Sequence, residues 1–528
     1  MVLRYIIQLT IFASAFTAIA AYAQFDPSKV PRVAEAVAKR YADPVVSYGT
    51  PGLKAGRTDF ASHDEALAFL SGMAQMHSAR VKLEMIGQSQ QGREIPLVKL
   101  SESGVFKAGR PTVLIVGQQH GNEPAGGEAA LAIVEQLATK HSELLRQVNV
   151  LILPRANPDG AQNFVRATAN GLDVNRDHLL LQTPEGRAIA QTALKYAPQV
   201  VLDLHEFTVG GRWIDKFSAY AKYDAMLQAA TVGNMDSALT DLALQKFVAS
   251  ARNALEGQGL STFWYHTSSA DAKDQVVSMG GVQPDTGRNV YGLRHTISIL
   301  LETRGIGLGR AHFTRRVHSH VLATLAVLRT TAEQSPALLT AVKAAEQASV
   351  QAACKGDLVI RAQATPGVQT LQFVDAKTGE DRAIEVPWRS ALNLTVQAAR
   401  PRPCGYWLAA DQTQAVGKLI ALGVQVKRLS SEQTVAAERY RIVEEKGSQR
   451  QDARGAIASD GAIRQLTLAI EPVSRALPAG SWYVPLDQAY AAIAAAALEP
   501  DSQSSYGANH VMGIDESSLL RVVQRLPQ

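Results

Sequence analysis

The chain has 528 residues, too long for one ordinary domain, so two or three are expected. Its hydrophobic content of 46% is that of a soluble globular protein. The formal net charge of +5 comes without a dense run of Lys or Arg, which argues against nucleic-acid binding and for a mildly basic, solvated surface.

Arg4 precedes an apolar stretch from Tyr5 to Ala20, and Ala21-Tyr22-Ala23 follows. A basic start, an apolar centre and an A-x-A site read as a secretory signal peptide over 1–23. The stretch is short for a membrane span. An exported protein is expected, free of the membrane after cleavage, and periplasmic where the host has two membranes. Residues 24–57, broken by Pro27, Pro31, Pro44 and Pro51, read as an irregular arm.

His63 to Met76 has a helical apolar face built from Ala66, Leu67, Phe69 and Leu70. Val81 to Leu100 reads as two strands around a turn marked by Gly87 and Gly92. Val113–Val116 is a buried strand that stops at Gly117 and runs into His-Gly-Asn-Glu at 120–123, with a helix beginning near Pro124. Val148–Leu153 is another strand, ending in PRANPDG and a polar loop that holds Arg166, Asn175 and Arg176. A helix over Pro184–Tyr196 leads to a strand at Val200–Leu204, which ends in His205-Glu206. After a mixed stretch with a helix over Asp241–Leu255, the strand Thr296–Leu301 ends in Glu302-Thr303-Arg304-Gly305, and a helix runs from His312 to Glu333.

Strands alternating with helices predict a mostly parallel sheet covered on both faces. His120, Glu123, His205 and Glu302 each follow closely on an apolar run. Parallel strands gather such ends on one edge of the sheet, where open α/β folds bind ligands. Two imidazoles and a carboxylate are a donor set suited to a catalytic zinc. Glu302 fits the base that such a site needs. Arg166 and Arg176 suit an oxyanion or a substrate carboxylate, and Asn175 adds a neutral donor.

Residues 336–351 are Ala-rich and read as a helical connector. From 352 to 528 short alternating runs such as LVIRAQAT, LQFVDA, IEVPWR and LNLTVQA predict a smaller β-rich accessory domain, with helices near Gln414–Leu422 and Gln488–Leu498. No metal or nucleophile pattern stands out in it. Cys354 and Cys404 either pair or are buried separately.

HGNE, NPDG, DVNRDH, DLHEF and ETRG, in this order, with IGQSQQGREI before them, resemble the carboxypeptidase A-like zinc carboxypeptidases, here of a secreted bacterial type. The resemblance covers about Thr58 to Glu333 and places a catalytic domain over 58–335. It implies an α/β/α sandwich with a mixed, mostly parallel sheet of about eight strands. It implies one Zn2+ per chain held by His120, Glu123 and His205, with Glu302 as general base and then proton donor. It implies that Asn175 and Arg176 hold the C-terminal carboxylate of a peptide substrate and that Arg166 polarises the scissile carbonyl. Tyr265 and Tyr291 are candidates for the family's mobile tyrosine. Asn122 stands where pancreatic-type members carry Arg, and HGNE also occurs in the aspartoacylase and succinylglutamate desuccinylase branch. The alternative is therefore the same chemistry on N-acyl amino acids or peptidoglycan stem peptides. Neither Gln283 nor Asp285 can be placed in the specificity pocket from sequence.

Overall fold

The computed structural model describes residues 25–457 and 461–526, and the expected signal peptide lies outside them. The central sheet has eight strands. In spatial order they are β1 (Val81–Gln88), β2 (Glu94–Leu100), β4 (Asn149–Leu153), β3 (Thr112–Gly117), β5 (Val200–Thr208), β11 (Ile297–Ile306), β7 (Ala225–Ala229) and β8 (Thr262–Trp264). The four middle strands are mutually parallel. The β1–β2, β2–β4 and β11–β7 pairings are antiparallel, so the sheet is mixed.

Side chains alternate across a strand, so each apolar run serves two cores. Val113, Ile115, Val150, Ile152, Val200 and Leu202 pack with residues of the helices His63–Met76, Pro124–Ala138 and Phe313–Glu333. Leu114, Val116, Leu151, Leu153 and Val201 pack on the opposite face with Ala188, Ile189 and Ala193 of the helix Pro184–Tyr196. This is the α/β/α sandwich. Local signals agree with it. Ser62 and Glu65 form a reciprocal capping box at the start of the first of these helices. Pro124 and Pro184 open the next two, where a missing N–H is harmless.

Two strands run further than their apolar stretches. β5 continues to Thr208 and β11 to Ile306, so His205 and Glu302 lie within strands rather than beyond them. Each strand supplies the other's backbone partners in this polar extension, with Glu302 in register with His205. β3 stops earlier, its Gly117 level with Leu204. The sheet edge therefore has a step, and the HGNE corner fills it. The helix expected from Asp241 begins at Ser237, capped by the Asp236 side chain, and holds a π-helical turn over Ala243–Val248.

The 24–57 arm is tied to the sandwich: Gly52 N–H donates to the buried carboxylate of Glu128 at 2.7 Å. The 352–528 part does not separate as one body. Its runs LVIRAQAT and LQFVDA merge into β12 (Asp357–Asp375), and IEVPWR and LNLTVQA into β13 (Asp381–Pro401). This long hairpin joins β6 (Ala219–Ala221), β10 (Val277–Met279) and β9 (His266–Ser268) in a five-stranded sheet. The division at 351/352 thus runs through a sheet that both parts build. The remaining chain forms an all-antiparallel six-stranded sheet: β15 (Lys427–Arg428), β20 (Trp482–Pro485), β14 (Gly405–Leu408), β21 (Leu519–Val522), β16 (Gln433–Ser448) and β19 (Ile463–Leu477). Beyond β16 a small hairpin, β17 (Gln451–Asp452) and β18 (Gly455–Ala456), reaches back to the sandwich. Cys354 and Cys404 form a disulfide, which decides between the two options left open by the sequence.

Candidate active site

The site begins with a backbone turn. Gln118 takes a left-handed conformation, φ 50°, as the chain leaves β3. Its side chain is fixed on both ends, accepting from Arg155 Nε at 2.9 Å and donating to Gly121 O at 3.1 Å. Such a conformation in a non-glycine residue persists only when its surroundings hold it. Gly121 then packs directly on Gly160 of NPDG. A Cβ at Gly121 would lie 1.8 Å from the Gly160 carbonyl carbon, so the HGNE corner meets the NPDG backbone only with glycine at 121.

This corner carries His120 and Glu123 onto His205. His120 Nδ1 lies 2.8 Å from Glu123 Oε1, His205 Nδ1 lies 2.9 Å from Glu123 Oε2, and the two Nδ1 atoms are 3.0 Å apart. All three residues are buried, and one ligand atom from each lies within 4.8 Å of the others. The far side of each ring is held by a carboxylate. His120 Nε2 is 3.0 Å from Asp173 Oδ1, and His205 Nε2 is 2.8 Å from Asp203 Oδ1. These carboxylates place the ring proton on Nε2 and leave the Nδ1 lone pairs facing Glu123 and each other. Three acceptors converging in a buried space repel unless a cation joins them, so the residues fit a zinc ion. Without one, the site charges up. Burial opposes a charge on His205, but Asp203 and Glu123 outweigh it and hold its pKa well above the ordinary value. Burial likewise opposes the Glu123 carboxylate, yet the His120 and His205 rings keep it well below the usual range.

Glu302 stands beside His205 on the neighbouring strand, and its Oε2 is buried with no hydrogen-bond partner. Burial first, then the Glu123 charge, pushes its pKa up to about 8. Glu206, the next residue after His205, points to the other face and is spent on a buried ion pair with Arg316 at 2.5 Å.

A cleft of ≈ 720 Å³ opens over this group, lined by His120, Glu123, Arg166, Asn175, Arg176 and Glu302 among others. His205 lies beneath them. Arg166 donates Nη1 to Glu123 Oε1 at 3.3 Å and grips Asp173 with Nε and Nη2 at 3.0 and 2.8 Å. Asn175 Nδ2 lies 3.3 Å from His205 Nε2. All seven residues singled out from sequence thus come to one place. Of the two tyrosines, Tyr265 lines the cleft, where burial and then Glu302 push its hydroxyl up to about 12. Tyr291 is buried edge-on against His178 instead.

The family follows from the sequence of the same region. Residues 66–230 match the sequence profile described as "Zinc carboxypeptidase". The chain carries a zinc carboxypeptidase domain. With it come the hydrolase class of that family and the Zn2+ that fits His120, Glu123 and His205. The chain is 27% identical to "Carboxypeptidase 2" of Trichophyton equinum over 479 residues, 88% of this chain and 87% of the relative. It is 28% identical to "Probable carboxypeptidase 2" of Arthroderma benhamiae over 451 residues, 84% of each chain. Matches this long reach past the zinc carboxypeptidase region into the C-terminal part. Both relatives are fungal, so they lend no support to the expected bacterial type. A metallo-carboxypeptidase of Burkholderia cenocepacia superposes with a TM-score of 0.40 at 17% identity, over 51% of this chain and 70% of that one. A carboxypeptidase A of Helicoverpa armigera does so with a TM-score of 0.40 at 16% identity, over 54% and 76%.

Several residues of the site escape sequence reasoning. Asp203 could have been found, since it lies two residues before His205 on one strand and so on the same face. Asp452 and Arg454 carried no local signal. They sit on the β17–β18 hairpin and line the cleft. Arg176 donates to Asp452 Oδ2 at 2.5 Å, and Arg454 donates to the same oxygen from Nε and Nη2 at 3.2 and 2.9 Å. Burial opposes the charge of Asp452, but the two guanidiniums hold its pKa far below the usual range.

Proposed function

We propose that the protein is an exported metallocarboxypeptidase that hydrolyses the C-terminal amide bond of peptides. The observation that carries this is the position of Glu302: in register with His205, over the three metal donors, and in one cleft with Asn175 and Arg176. A free base beside a metal site and a cation in the same cleft are what removal of a terminal residue requires.

Bound zinc would supply Lewis acidity, polarising the scissile carbonyl and lowering the pKa of a water. Asn175 and Arg176 receive the substrate's terminal carboxylate, and the planar guanidinium suits it. Arg166, braced by Asp173, offers its remaining hydrogen-bonding capacity to the carbonyl oxygen as negative charge develops there. Glu302 takes the proton of the attacking water at Oε2, then returns it to the departing amine. Export is supported by the Cys354–Cys404 disulfide, since such bonds persist in oxidising compartments. No described helix is long and apolar enough to cross a membrane.

The test is mass spectrometry of digests made by the zinc-loaded protein, using peptide pairs that differ only in a free or amidated C-terminus. Loss of single residues from the free peptides alone is expected. Equal cleavage of both would overturn the role given to Asn175 and Arg176. No cleavage of either would overturn the reading and turn attention to N-acyl amino acids and cell-wall stem peptides.

A further inference from the structure

Five arginines line the cleft, and they differ in their partners. Arg166 is paired with Asp173, and Arg176 and Arg454 share Asp452. Among the described residues neither Arg212 nor Arg288 has a carboxylate in direct ion-pair contact; Asp452 acts on Arg212, and Asp203 and Glu302 on Arg288, only from further away. Arg212 donates to Ser268 O, and Arg288 donates Nη2 to Gly281 O at 2.8 Å and Nε to Asn289 Oδ1 at 3.4 Å. Arg288 is 3% exposed. Burial pulls it down to about 10, and the nearby Arg176 charge acts in the same direction. For Arg212, burial again acts first, with Arg454 the leading charge.

A buried guanidinium without an anion is costly, and a binding site can tolerate it where the ligand brings the anion. The wall beside Arg288 is open on the cleft side. Gly280 lines the cleft, and a Cβ there would lie 3.0 Å from Arg288 Nη1, so any larger residue would crowd that guanidinium edge. Leu300, two residues before Glu302 on β11 and so on the same face, adds an apolar lining. The α-carboxylate has its own cations in the Arg176–Asp452–Arg454 group, which leaves Arg212 and Arg288 for a second negative charge.

We propose that the cleft takes peptides ending in glutamate or aspartate, with Arg288 and Arg212 receiving the side-chain carboxylate of the last residue. The proposal rests on the carboxypeptidase reading and names its substrate class. Glutamine is shaped like glutamate without the charge, so the pair isolates the electrostatic contribution.

The experiment uses the zinc-loaded full chain and peptides identical except for a last residue of Glu, Gln, Asp, Asn, Leu or Lys. kcat/KM for Glu is expected to exceed that for Gln by about 10-fold or more, since a charge-assisted bidentate pair replaces a neutral one. Arg288→Gln and Arg212→Gln should each move the Glu/Gln ratio toward one. Free glutamate should inhibit the unmodified protein more strongly than free glutamine, a comparison that holds even if a variant fails to fold. Faster cleavage of the Leu or Lys peptide, or equal inhibition by glutamate and glutamine, would overturn the proposal and leave the carboxypeptidase reading standing. No turnover of any peptide with zinc bound would overturn both.

Discussion

Arg176 and Asp452 are 276 residues apart in the chain and 2.5 Å apart in space. Their side chains are only 11% and 10% exposed. The contact ties the C-terminal hairpin to the loop that carries the proposed carboxylate anchor, and Arg454 completes a group of two guanidiniums around one carboxylate. Removing one member of a buried pair leaves an uncompensated charge and costs about 3–5 kcal/mol. Asp452→Asn is therefore expected to lower stability by about that amount, read by denaturant unfolding. It should also speed proteolytic nicking of the hairpin. An unchanged midpoint, with unchanged nicking, would mean the hairpin does not depend on this contact.

Glu302→Gln keeps the shape of the side chain and removes the base. Activity is expected to fall by about 10²–10⁴-fold, the usual contribution of general acid–base catalysis, with zinc content unchanged by metal analysis. Full activity with zinc bound would refute the assignment.

The same residue makes a stability prediction for the metal-free protein. Burial and the Glu123 charge raise its folded pKa to about 8 from the ordinary 4.5, so the folded state holds the proton more tightly. A carboxyl raised in this way adds no penalty below the unfolded pKa. It destabilises progressively as pH rises through the window from 4.5 to about 8. The gap in melting temperature between Glu302→Gln and the unmodified metal-free protein should therefore widen in favour of the variant across that window. A gap independent of pH would show that Glu302 is not held neutral.

The metal donors read easily from sequence because each sits next to a strand whose apolar run is visible, and parallel strands bring such positions together. The step in the sheet was not legible. It depends on β5 and β11 pairing with each other past the end of β3, a long-range fact that carries no local pattern. The hairpin at 451–456 was missed for the same reason. Asp452 and Arg454 look like ordinary turn residues, and only tertiary placement brings them to Arg176. β16 was missed as well, because its outer half is exposed on both faces and lacks a clean alternation.

Asp203 is expected to act through His205. Its Oδ1 accepts from His205 Nε2 at 2.8 Å and also from Gln119 Nε2 at 2.6 Å, while His178 Nε2 meets Gln119 Oε1 at 2.8 Å. Burial lowers His178 to about 4, so that ring is neutral and its Nε2–H can donate to Gln119. The chain fixes the orientation of Asp203, and Asp203 fixes the tautomer that points the His205 Nδ1 lone pair at the metal position. Asp203→Asn removes the charge and keeps the shape. Losses of outer partners of this kind weaken metal binding by about 10–100-fold. The variant should therefore release zinc to a competing chelator at a correspondingly lower chelator concentration, while excess zinc restores much of the activity. Gln119→Leu should show the same effect in weaker form, because it loosens Asp203 without removing it. Zinc affinity unchanged in Asp203→Asn would mean that Glu123 and His120 alone set the geometry at His205.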